Sequence, residues 1–285
     1  MCERLASHAA VLRLMRQYNF RPKKNFGQNF LTEPKAAEKM AEAAQIGRDD
    51  FVIEIGPGLG GLTQILSEKA AAVTAIELDR ELTGILKDIF SDNSRVEIIQ
   101  GDILKSNISA LMNERGRRTA KIAANIPYNI TTPVILNLLE NRSQLSIISL
   151  MIQREAAERL TAKPGGREYG VLPLTASYYA NVAINATVPR NCFFPRPNVD
   201  SVIVTLDLNS VNRAPDSGGI LFRCIRAAFG QRRKTLLNCL RAQDWINAGR
   251  EELIELLKSC GFDENVRGEA LSLEDFIRLS QKLGG

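Results

Sequence analysis

The chain has 285 residues, 45% of them hydrophobic and 24% charged, as expected of a globular protein with one large core and a smaller companion domain. No apolar run approaches the roughly 18–20 residues of a membrane span. The cysteines Cys2, Cys192, Cys224, Cys239 and Cys260 are scattered, without a C-x-x-C pair, and His8 is the one histidine, which argues against a disulfide framework or a metal site and predicts a reducing, cytoplasmic setting. The net charge of +5 suits a polyanionic partner.

Residues 1–24 read as an extension. Arg4, Arg13 and Arg16 are mixed there with Val11, Leu12 and Leu14, while Glu3 and the broken apolar run favour a short basic helix over an organelle presequence. Apolar runs then recur at 51–55 (FVIEI), 72–76 (AVTAI), 95–99 (RVEII), 120–124 (AKIAA) and 145–151 (LSIISLM), separated by helix-length stretches. That alternation predicts a parallel sheet with helical crossovers. Two more β-rich runs, 182–188 and 199–206, add an antiparallel pair at one edge, with Val202, Val204 and Leu206 on alternate positions.

Strand signals end at 209–219 (NSVNRAPDSGG), which reads as a linker. Helices are predicted over 220–229, over 251–260 before Gly261, and over 272–283, where Ser272 and Asp275 have capping-box spacing. The expected organisation is an α/β domain over 25–210 and a small all-helical domain over 216–285. A monomer is expected, since no coiled-coil seam stands out. The pair Tyr178-Tyr179 and the lone Trp245 read as packing residues, and Cys192 as structural.

The segment Glu54-Ile55-Gly56-Pro57-Gly58-Leu59-Gly60-Gly61 follows a strand and opens a helix, where glycines let a ligand approach the backbone. Glu77 closes the second strand, placed to accept hydrogen bonds from a ribose, and Asp102 closes the third, placed either to accept from a nucleobase amine or to cap a turn. Together these strand ends point to a nucleoside cofactor. They do not separate a nicotinamide dinucleotide from S-adenosylmethionine.

Asn125-Ile126-Pro127-Tyr128 ends the fourth strand. As a bare tetrapeptide it fits a turn with an Asx hydrogen bond. Beside a methyl donor it fits a specific chemistry. The lone pair of an adenine amine is delocalised into the ring, so the amine needs acceptors on both N–H bonds before it can attack a methyl sulfonium. The Asn125 side-chain oxygen and the Ile126 carbonyl are those acceptors, Pro127 stiffens the turn, and Tyr128 stacks on an extruded base.

These motifs, with Asn25-Phe26-Gly27-Gln28-Asn29-Phe30-Leu31, the run Phe194 to Ser201 and Gln231-Arg232-Arg233-Lys234-Thr235, resemble the ribosomal RNA adenine dimethyltransferase family over residues 25 to about 240. The resemblance implies a Rossmann-like class I methyltransferase domain followed by a helical rRNA-binding domain over 216–285. It implies dimethylation of two adjacent adenosines in the terminal hairpin of small-subunit ribosomal RNA. It also implies S-adenosylmethionine contacts at Asn29, Leu31, Gly56, Glu77, Asp102 and Asn125, and catalytic roles for Asn125 and Tyr128, with Phe194 as the second aromatic of a base sandwich. Rival readings are a large-subunit methyltransferase of the macrolide-resistance type, a non-catalytic ribosome assembly factor and, from the glycine loop alone, a nicotinamide dehydrogenase. Lys23, Lys24, Arg117, Arg118, Arg232, Arg233 and Lys234 are candidates for an RNA phosphate-tracking surface, though any one such run is usually a solvated face.

Overall fold

A computed structural model of the chain describes residues 3–211, 213, 216 and 219–284. Cys2 and part of the expected linker lie outside the described residues. The structure divides into two compact units, the first formed by Met1–Ala157 with Ala180–Ser210 and the second by Glu158–Tyr179 with Val211–Gly285.

The first unit opens with helix α1 (His8–Gln17), the short strand β1 (Phe30–Leu31) and helix α2 (Pro34–Ala43). Strands and helices then alternate through β2 (Phe51–Ile55), α3 (Gly61–Lys69), β3 (Ala72–Glu77), α4 (Arg80–Ile89), β4 (Val96–Gln100) and α5 (Ile108–Glu114). Next come β5 (Ala120–Asn125), α6 (Thr131–Glu140) and β6 (Leu145–Gln153); the chain then runs through α7 (Arg154–Leu160), which spans the division, and α8 (Val171–Tyr179), which belongs to the second unit. The first unit closes with β7 (Asn181–Val188), β8 (Phe193–Phe194) and β9 (Ser201–Asp207). Seven strands form one sheet in the order β4-β3-β2-β5-β6-β9-β7. Strands β2 to β6 run parallel, and β9 pairs antiparallel with both β6 and β7. The α/β alternation and antiparallel edge expected from the sequence are therefore present.

Burial explains the strand sequences. Every residue of β2 is buried, as helices on both faces of a parallel sheet require. The period-two pattern in β9 predicts a single buried face, but Ile203 between the alternating residues is as buried as Val202 and Val204. The reason is position: β9 is not the edge, β7 is, and the exposure of most of β7 marks that edge.

Residues before Asn25 are not an appendage. Ser7 caps α1 by accepting from the Ala10 N–H at 3.2 Å, and Val11, Leu14 and Met15 are buried in a cluster with Phe30, Leu59, Leu82 and Ile85. The helix belongs to the α/β unit because its apolar stripe needs that cover.

The second unit is helical, built on α8 together with α9 (Ile220–Gly230), α10 (Leu236–Arg241), α11 (Arg250–Ser259) and α12 (Leu273–Gly284). Sequence reading ends the first domain at 210, yet residues 158–179 pack in this unit. Tyr169, Leu174 and Tyr178 share its buried cluster with Leu221, Cys224, Ile225 and Phe276, and the Tyr169 hydroxyl donates to the Leu271 carbonyl at 2.8 Å. The Ser272–Asp275 capping box forms: the Ser272 N–H donates to Asp275 at 2.9 Å and the Asp275 N–H to Ser272 at 3.2 Å. Helix α10, too short to show periodicity, has Thr235 as its cap. Among the described residues no helix is long and apolar enough to cross a membrane.

Candidate active site

The carboxyl ends of β2, β3, β4 and β5 open on a cavity of about 310 Å³ in the first unit, within the usual range for small-molecule sites. The loop after β2 forms one wall. Gly56 and Gly58 adopt φ of 66° and 62°, a region that disfavours side chains. A Cβ on Gly58 would also stand 2.9 Å from the Phe30 ring. Gly58 is therefore fixed by both backbone conformation and the strand packed against it.

Glu77 is buried at the end of β3 and holds this loop. Its carboxylate accepts from the Asp79 N–H at 2.8 Å and the Gly58 N–H at 3.3 Å. Burial pushes its pKa up, while those backbone amides pull the other way. Burial likewise pushes on Asp79, but hydrogen bonds from Lys23, Gln28 and the Glu81 amide outweigh it and hold that carboxyl below its ordinary value. Asp102 also lines the cavity. Its Oδ1 accepts from the Leu104 N–H at 3.0 Å, so Asp102 does cap a turn, while its Oδ2 faces the exposed Lys105 ammonium at 3.9 Å.

Glu54 lies deeper in the same wall, 1% exposed. Its Oε2 has no hydrogen-bond partner among the described residues, and neither has the buried Thr63 Oγ1. Burial raises its pKa to about 8, opposed by the neighbouring Thr63 hydroxyl and reinforced by the Glu77 carboxylate. The sequence signal for Glu54 is an acid inside the otherwise apolar strand FVIEI.

Asn125 ends β5, and its amide donates to the Asn29 carbonyl at 3.1 Å. The amide nitrogen is thereby committed, and the side-chain oxygen is the acceptor left to the cavity wall. Ile126, Pro127 and Tyr128 continue that wall. The Tyr128 hydroxyl is 3.1 Å from Ser201 Oγ, and burial pushes its pKa up. The phenol stays neutral near pH 7 and its ring is held in place.

Asn29, Leu31, Gly56, Glu77, Asp102, Asn125 and Tyr128, all expected from the sequence, line this one cavity. Phe194 does not. It pairs with Phe30 across β8 and β1 and meets the His8 ring edge-on at 5.9 Å, so Tyr128 is the only aromatic of the expected pair in the wall. Leu5 and Val11 line the cavity too, a contribution that the extension's ordinary composition did not reveal.

The basic residues separate into groups. Lys23 is engaged by Asp79 and Glu81, each at 2.8 Å, whereas Lys24 is exposed. Arg117 lies over the Phe51 ring, 5.3 Å from its centroid, before β5 begins and so at the end of the sheet away from the cavity. In the second unit Arg232 is a cross-link: it donates to Glu269 and Gly166 at 2.8 Å each, and to the Arg167 carbonyl. Arg233 and Lys234 are exposed.

Residues 19–283 match the sequence pattern of the family described as ribosomal RNA adenine dimethylase. The chain belongs to the ribosomal RNA adenine dimethylase family. It is 41% identical over 280 residues to the ribosomal RNA small subunit methyltransferase A of Clostridioides difficile (strain 630), covering 98% of this chain and 96% of that protein. The protein of the same name from Lachnoclostridium phytofermentans is 43% identical over 275 residues, covering 95% of this chain and 94% of the relative.

Among solved structures, a dimethyladenosine transferase from Plasmodium falciparum superposes with a TM-score of 0.71 at 28% identity, covering 87% of this chain and 95% of that one. The 23S rRNA methyltransferase ErmE superposes at 0.68 with 24% identity, covering 90% and 100%, a likeness of fold alone. As a member of this family the chain is an adenine dimethyltransferase, and its Rossmann-like sheet is that of a methyltransferase.

Proposed function

We propose that the chain uses S-adenosylmethionine to dimethylate two adjacent adenosines in the terminal hairpin loop of small-subunit ribosomal RNA. The observation that carries this reading is the Asn125–Asn29 hydrogen bond, which engages the amide nitrogen and so supports the side-chain oxygen as the acceptor in a wall shared with Ile126 and Tyr128. The names of the relatives at about 40% identity support the small subunit over the large one.

The cavity fits the donor. Its lining includes the acidic side chains Glu77 and Asp102, the buried carboxyl of Glu54 that holds its proton to about pH 8 and, among the described residues, no lysine, arginine or histidine. That balance favours a cationic ligand over the pyrophosphate of a nicotinamide dinucleotide. Glu77 would hold the ribose, Asp102 the adenine amine, and Asn29, Leu31 and Gly56 the rest of the donor. When bound, S-adenosylmethionine supplies a methyl group on electron-poor sulfur. Asn125 Oδ1 and the Ile126 carbonyl accept from the two N–H bonds of the target amine and return its lone pair to nitrogen. Tyr128 stacks on the base and fixes its direction of approach. Asn125 and Tyr128 thus work by positioning and polarisation: the N–C bond forms as the methyl–sulfur bond breaks, and the surplus proton on nitrogen passes to water, with no side chain acting as general base.

The test is methyl transfer from labelled S-adenosylmethionine to small ribosomal subunits lacking adenine dimethylation, followed by nucleoside analysis. Dimethyladenosine confined to the terminal hairpin is expected. Label in large-subunit RNA would instead establish the resistance-type activity, and RNA binding without transfer a role in assembly.

A further inference from the structure

A second concavity, of about 370 Å³, lies wholly within the helical unit, lined by Arg223, Arg226, Gln231, Cys239, Gln243 and Trp245 among others. Arg223 and Arg226 sit three residues apart on α9 and so share a face. The Arg223 guanidinium lies 4.3 Å from the centroid of the Trp245 ring, a cation–π contact that orients its N–H groups. The Cys239 thiol at the base is occupied by the Ala228 and Gln231 carbonyls at 3.9 and 3.7 Å, and burial pushes its pKa up, so it brings no reactive group. No acidic side chain lines the concavity, and among the described residues Arg226 has no carboxylate partner.

Two guanidinium groups facing one hollow without a counter-ion are mutually repulsive until an anion enters. A packing role for Trp245 accounts for the Arg223 stack but not for unpaired Arg226. The aromatic wall beside paired cations matches an RNA nucleotide, whose phosphate takes charge-assisted hydrogen bonds while its base or ribose lies on a ring. We propose that Arg223, Arg226 and Trp245 form a second RNA contact, a subsite for one backbone phosphate with its nucleoside against the indole. It deepens the proposed function, resting on RNA being the substrate.

Trp245 is the chain's only tryptophan, so its fluorescence reports this site alone. The full chain is titrated with an end-labelled single-stranded RNA oligonucleotide, anisotropy reading total binding and tryptophan emission reading the subsite. Emission should change saturably in step with anisotropy. In Arg226→Gln, which leaves the Arg223–Trp245 stack intact, the emission response should be lost. The log–log salt dependence of binding should become shallower by about 0.7, the value of one single-strand phosphate contact, with S-adenosylmethionine affinity and thermal midpoint unchanged. RNA binding with silent Trp245 emission, or an Arg226→Gln slope equal to that of the unaltered chain, overturns the subsite while leaving RNA as substrate. Absence of any anisotropy change overturns the RNA reading itself, and the subsite with it.

Discussion

Asn125 and Asn29, 96 positions apart, are joined by a hydrogen bond of 3.1 Å from the Asn125 amide to the Asn29 carbonyl. The loop before β1 thereby engages the nitrogen end of the Asn125 amide. Asn125→Ala removes the acceptor, and Asn125→Asp forces a carboxylate against the Asn29 carbonyl. Either should lower the rate of the methyl-transfer step by about 100–1,000-fold, the loss found when one preorganised hydrogen-bond group is removed from an active site. Single-turnover kinetics and equilibrium donor binding will separate this from weaker donor affinity, which should change far less.

Tyr128 and Phe194 should behave differently, because only Tyr128 is in the cavity wall. Tyr128→Ala is expected to cost about 1–3 kcal/mol of base stacking, seen in the methylation rate at subsaturating RNA. Tyr128→Phe loses only the Ser201 hydrogen bond and should cost about 1 kcal/mol. Phe194→Ala should act chiefly on the thermal midpoint through its contacts with the α1 cluster. A Phe194→Ala enzyme with normal stability and a transfer rate as low as that of Tyr128→Ala would restore the base sandwich.

Glu54 gives a pH dependence whose sign follows from burial. Its folded-state pKa of about 8 stands above the ordinary value of 4.5, so the folded chain holds the proton more tightly than the unfolded one. The stabilising effect is complete below about pH 4.5 and is lost as pH rises through about 8. Glu54→Gln keeps a neutral side chain at every pH. It should therefore be more stable than the unaltered chain above pH 8, by about 1–3 kcal/mol, with the advantage vanishing under acid conditions. Thermal midpoints across that range provide the measurement; parallel curves for the two proteins would place Glu54 in a hydrated site.

Neighbouring arginines in the helical unit should respond differently to substitution. Arg232→Ala breaks hydrogen bonds to Glu269, Gly166 and Arg167 and, being partly exposed, should lower stability by about 1–2 kcal/mol. Arg233→Ala should leave stability unchanged and make RNA binding less salt-sensitive, by about 0.7 in the log–log slope for a lost phosphate contact. Denaturant unfolding and salt titrations on both variants check the division.

Local chemistry made much of this protein readable from sequence. Apolar runs marked the sheet strands because a strand covered on both faces needs apolar residues throughout. The strand ends Gly56, Glu77, Asp102 and Asn125 marked the cavity because parallel strands in an open sheet deliver their carboxyl ends to one side. The Ser272–Asp275 capping box was legible because it is completed within one helical turn.

Contacts between distant segments were decided only by the tertiary structure. Leu5, just before α1, and Val11 on α1 join the cavity wall, residues 158–179 join the helical unit through Tyr169 and Tyr178, and Arg232 is spent on Glu269. Phe194 sits in a motif beside the expected chemistry, yet it pairs with Phe30 across β8 and β1 and is not among the residues lining the cavity. Each outcome depends on which side chain meets which across the fold, and neither spacing nor composition encodes that pairing. Glu54 shows the same division: the sequence specifies a carboxyl group, and burial without a hydrogen-bond partner for Oε2 raises its pKa.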